Sequence, residues 1–138
     1  MMLNNQRVSE ALLSAPASLA GDGNVTSSWA DMNNRMEYTF LVAVGAMAAS
    51  KGVKIELLGS NDSGGSGAQT VKELSYTADG DGETGRLFAV RGRVTPDWRY
   101  MAVKVTNLDD TTATVAAVVL VSDARYVPDD GGVTVLMV

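Results

Sequence analysis

Residues 98–128, WRYMAVKVTNLDDTTATVAAVVLVSDARYVP, constrain the fold of this chain more than any other stretch. Residues 100–106 are rich in aromatic and β-branched side chains. Leu108, Asp109 and Asp110 then interrupt them with residues that favour turns over ladders. Within residues 112–121, Val115, Val118, Val119 and Val121 are interleaved with Ala113, Ala116 and Ala117, so that segment is apolar on both parities. The pattern predicts a β-hairpin whose second strand is buried on both faces or pressed against a partner. It places the chain in the β class and carries no obvious chemistry.

Composition narrows the function classes. With 138 residues the chain is one domain by size, large enough for a core without metal or disulfide staples. It has no cysteine and no histidine. That removes thiolate nucleophiles, zinc–thiolate sites, the commonest general base and any Ser-His-Asp triad. The sequence therefore reads as a non-enzyme that needs no cofactor. Charged residues are 20% of the chain and glycines number 14, which favours burial between subunits. The net charge of −5 argues against nucleic acid, whose binders carry a basic stripe. Arg86, Arg91, Arg93 and Arg99 form the one basic cluster. Strand alternation puts Arg91 and Arg93 on one face, as a solvated rim or a subunit salt bridge. No apolar run reaches the length of a membrane span. Residues 11–20, ALLSAPASLA, superficially resemble a signal peptide, but Ser14, Pro16 and Ser18 break the run, and the segment is expected to stay with the protein.

Along the chain, residues 1–24 are expected to form an arm and residues 25–138 a β domain. Ser9 is placed to cap a short helix through Ala11, Leu12 and Leu13, stopped near Pro16, followed by an extended segment. Strands are expected at 25–29, 36–44, 53–58, 71–76 and 86–90, with a short helix possible over 46–51. Residues 59–67, GSNDSGGSG, read as a flexible loop with no core residue. After the Asp129, Asp130, Gly131, Gly132 joint, VTVLMV reads as a final strand or a docking segment. About eight short strands at this spacing indicate an all-β antiparallel sandwich, jelly-roll-like, with an extended arm.

Each site candidate has a plainer reading. Asp79, Asp81 and Glu83 alternate as calcium ligands do, but an EF-hand needs Gly sixth and Glu twelfth, where this chain has Thr84 and Val90. A solvated acidic turn, and no metal, is expected. The Gly-rich segment 59–67 lacks the Lys-Ser/Thr and following helix of a phosphate loop. The pairs Asp109-Asp110 and Asp129-Asp130 read as turn residues. Trp29 and Trp98 suit either a sugar platform or a core anchor, and anchoring is favoured. The apolar residues of the terminal segments, Leu12, Leu13, Leu19, Val133, Val135, Leu136 and Met137, are the candidate contact residues, because an uncovered apolar tail is an aggregation liability. On this reading, deleting residues 1–20 leaves a folded body but weakens assembly.

One resemblance adds to this. The segments TSSWADMNN, KGVKIELLGSNDSGG, WRYMAVKVTNLDD and AAVVLVSDARYVP, with the long apolar strand between the first two, resemble the small β-sandwich structural proteins of tailed bacteriophages over residues 25–128. Those proteins include capsid decoration, or cement, proteins. The resemblance implies a virion role on the capsid exterior after synthesis in the host cytoplasm, with the major capsid protein as partner. It implies a homo-oligomer, a trimer at a threefold site being the simplest, and no nucleic-acid or membrane partner. A tail or head–tail completion protein and a carbohydrate-binding module using Trp29 or Trp98 are the other readings.

Overall fold

Four strands alternate so cleanly that they define the core. In the computed structural model, which describes residues 8–33 and 35–123, Glu37–Val44 (β4) buries Tyr38, Phe40, Val42 and Val44. Gly52–Ser60 (β5) buries Val53, Ile55 and Leu57, and Tyr100–Asn107 (β8) buries Met101, Val103 and Val105. Thr114–Asp123 (β9) buries Ala116, Val118 and Leu120. β4 and β9 lie in one sheet and β5 and β8 in the other, so these inward rows form the two walls of a sandwich core.

The other strands complete the walls. They are Val8–Leu19 (β1), Asn24–Thr26 (β2), Ala30–Asp31 (β3), Gln69–Thr77 (β6) and Arg86–Arg93 (β7). One sheet runs β1-β9-β4-β7. The other runs β2-β8-β5-β6, with β3 also paired to β8. The pairs β1–β9, β2–β8, β4–β7 and β5–β6 are nested and antiparallel, which is the wrapped double Greek key of an eight-stranded jelly roll. The all-β antiparallel sandwich expected from the sequence is what the chain forms, with no helix among the described residues.

Several local expectations are corrected. β8 and β9 are not a hairpin: the segment between them crosses from one sheet to the other. A strand apolar on both parities needs a central place, and β9 finds it between β1 and β4, while β8 already has β2 and β5 on its two sides. The helix expected after Ser9 is instead β1, paired with β9 along its length and bulged around Leu13 and again before Ala17. A helix that short would not offset its nucleation cost, whereas β9 offers a full ladder. The 1–24 arm thus contributes an edge strand, and Leu19 lies in the core at 4% exposure. The possible helix at 46–51 is a turn, with Met47 bridged to Glu83 and Ser50 at φ 60.

The loop at 59–67 is tied down. Ser60 is fully buried and donates from Oγ to the Ser66 carbonyl at 2.7 Å. Asp62 Oδ2 accepts from the Gly64 and Ser66 N–H groups. The final segment VTVLMV, with Val133, Val135, Leu136 and Met137, and the Asp129-Asp130 pair lie outside the described residues.

Candidate functional site

The register of the β1-β9-β4-β7 sheet sorts its side chains into two sets. Those sharing rows with Phe40, Val42 and Leu120 face the core. The alternate set faces outward, and it is apolar too. One outward row reads Leu12, Val119, Leu41, Ala89; the next reads Ala117, Ala43, Leu87. Val115 extends the face beyond them beside Ser18. Leu12 is 41% exposed, Val115 46% and Leu87 63%. A one-sided antiparallel sheet normally alternates apolar and polar residues, so a second apolar face marks a contact surface. Residues 112–121 carried that signal as apolar residues on both parities, although the neighbours in β4, β7 and β1 were not assignable from sequence.

The polar end of this face is the row Glu10, Val121, Thr39, Arg91. Beyond it Arg93 pairs with Glu37 at 3.5 Å. Arg91 and Arg93 share the outward face, as alternation predicts. An open groove of about 520 Å³ runs along Thr39, Arg91, Arg93 and Val121.

At one end of the sandwich, loops hold the two tryptophans. A β-carbon on Gly59 would sit 2.5 Å from Trp98 Cγ, and one on Gly65 (φ 84) would sit 2.3 Å from Trp29 Cε2. Both indoles therefore pack directly on glycine backbone, and Trp98 also packs against the core. Asn61 binds the neighbouring loop through the Asp97 carbonyl at 3.1 Å and the Arg99 N–H at 3.0 Å. Asp31 pairs with Arg99 at 3.2 Å. Partial burial pushes the Asp31 carboxyl up, but donation from Arg99 and the Asn33 N–H outweighs it and holds the group below its ordinary range. A cleft of about 320 Å³ beside Met32, Arg35, Pro96 and Trp98 completes this end.

Most of the remaining acidic candidates bond within the chain. Asp79 Oδ1 accepts from the Asp81 N–H at 3.0 Å, and Glu83 takes the Tyr76 hydroxyl and the Arg86 guanidinium. Arg86 also lies over the Tyr76 ring at 4.5 Å. Asp110 pairs with Lys51 at 3.2 Å. No group of three or more metal-ligating side chains occurs among the described residues. Of the candidate contact residues, Leu12 lies on the outward face, Leu13 packs inward against the core and Leu19 is part of it.

No protein-family model matches the sequence, and no curated protein matches it. Solved structures share the fold. A structure of infectious bursal disease virus aligns with a TM-score of 0.59 at 9% identity, covering 86% of this chain and 32% of that one. PBSX exported protein XepA aligns with a TM-score of 0.57 at 12% identity, covering 100% of this chain and 42% of that one. A CBM4 structure aligns at 0.51 and 13% identity, covering 87% and 88%. The chain spans less than half the length of the first two. At these identities the likeness is one of fold, and a jelly roll hosts many functions.

Proposed function

We propose that this protein is a structural component of a virion, a decoration or cement protein that binds the outside of a phage head and stabilises it by protein–protein contact. The observation that carries this reading is the apolar outward face of the β1-β9-β4-β7 sheet. Its broadest apolar surface is a sheet face spread over four strands, which suits another protein rather than a small molecule. The carboxylates that are bonded elsewhere in the fold fit a binding role better than catalysis. The jelly-roll order and the likeness to a viral structure agree with the reading without carrying it. Trp29 and Trp98 are half-buried and each packs on a glycine, which fits their reading as anchors.

On this reading the partners are the major capsid protein and further copies of the chain, and the location is the capsid exterior. The test is quantitative mass spectrometry of density-purified particles from the source. The expected result is this chain in a fixed ratio to the major capsid protein, released before the shell opens under mild denaturant. Particles that lack the chain, or that carry it only within separated tails, would overturn the reading.

A further inference from the structure

The outward face has a symmetry that selects a partner. Its polar row begins with Glu10 on the β1 edge and ends with Arg91 on the β7 edge, separated by Val121 and Thr39. Three strand spacings put those two columns about 14 Å apart. Neither residue has an ion-pair partner within the chain among the described residues. We propose that this face pairs with the same face of a second copy, about a two-fold axis running parallel to the strands between β9 and β4.

That operation is the one that matches the chemistry. It turns β1 of one copy onto β7 of the other at the same height. Glu10 then meets the Arg91 column of the second copy, and the reverse contact forms at the opposite edge. The row Leu12, Val119, Leu41, Ala89 meets its own reversal, so large Leu12 lies over small Ala89 while Val119 and Leu41 interdigitate. Ala117 and Ala43 meet each other in the next row, beneath the β7 column that ends in Leu87. A two-fold axis perpendicular to the strands would reverse the rows and leave both charges unmatched. Packed sheets sit about 10 Å apart with strands within about 30° of each other, a gap that Glu and Arg side chains span from either side. The apolar rows supply affinity, and the corner charges fix orientation and register.

This inference rests on the reading that the protein acts by contact, and it names the one partner of this face: a second copy of the chain, so that the pair meets the shell through its other surfaces. The experiment is sedimentation velocity of the purified full chain, free of particles, over a concentration series. The expected species is a dimer. Leu41→Glu, in the centre of the face, should leave a folded monomer by circular dichroism. Glu10→Arg and Arg91→Glu should each weaken dimerisation about tenfold, since each creates two like-charge contacts. Their combination should restore the wild-type constant. A monomer across the range, a higher oligomer indifferent to Leu41→Glu, or a double variant no better than the single ones would overturn the pairing. Copurification with particles is read separately. A monomer still found on particles refutes the pairing alone, and a dimer absent from particles refutes the virion reading alone.

Discussion

Asn107 and Asp109 hold the place where the chain changes sheets. Asn107 is buried, and its Nδ2 donates to the carbonyls of Leu19, Ala20 and Thr112 at 3.2, 3.1 and 2.8 Å. Its Oδ1 accepts from the Asp109 N–H at 3.0 Å, so one side chain ties the end of β1 to the β8–β9 crossover. Asn107→Ala should destabilise the fold by about 2 kcal/mol, because several buried groups lose partners at once, and urea unfolding measures it. Asp109 Oδ1 accepts from the Thr111 and Thr112 N–H groups at 2.9 and 3.1 Å and from the Thr111 hydroxyl at 3.0 Å. Those backbone donors hold its carboxyl below the ordinary range. A depressed pKa means that the ionised form stabilises the fold above the unfolded value of about 3.9, and that this is lost as pH falls through the folded value. Asp109→Asn should therefore lower Tm at neutral pH, and its gap to the wild type should close as the pH drops below about 4. A gap that stays constant with pH would mean that the carboxylate charge is not what stabilises the crossover.

Among the elements, β1 shows best what sequence patterning reveals and what it hides. β5 was legible by face because its alternation is local: Val53, Ile55 and Leu57 need no knowledge of neighbours to be placed inward. β4 was legible as a long apolar strand, but which of its residues point inward depends on its partners, since Leu41 and Ala43 are apolar as well. β1 was not, because its Ser, Pro and Ala content is irregular and its strand character comes from β9, roughly a hundred residues away in sequence. The same non-locality hid the separation of β8 from β9, since a turn-like segment between two apolar strands reads alike whether the chain turns back or crosses sheets. β6 was legible as a strand but not as an edge. Its Lys72 and Glu73 suit an edge that must stay unpaired, even though Leu74 on it is 54% exposed. For the site, Leu12 and the apolar parity of β9 were readable, whereas the face they share with Leu41 and Leu87 exists only once the strand order is known. Because β1 supplies a whole edge and Leu19, removing residues 1–20 should abolish cooperative thermal unfolding rather than spare the body. Burying a leucine such as Leu19 is alone worth about 2–5 kcal/mol against a domain total of about 5–15 kcal/mol. A truncated chain that melts cooperatively near the full-length Tm would show that β1 is dispensable.

At the scale of the whole molecule, β1 pairs with β9, the first and last of the described strands, and the other pairs nest inside them. The sheet edges at β1, β2, β6 and β7, the loop end around Trp29 and Trp98, and the outward face of β1-β9-β4-β7 are surfaces open to partners among the described residues. Only the last is both broad and apolar, so the contact role is assigned there. The most direct measurement is cryo-electron microscopy of the source particles at a resolution that separates β-strands. The account predicts jelly-roll density of this strand order on the outer surface of the head, with the β1-β9-β4-β7 face covered by protein. Density for the chain that leaves this face open to solvent, or that lies in the particle interior, would contradict it.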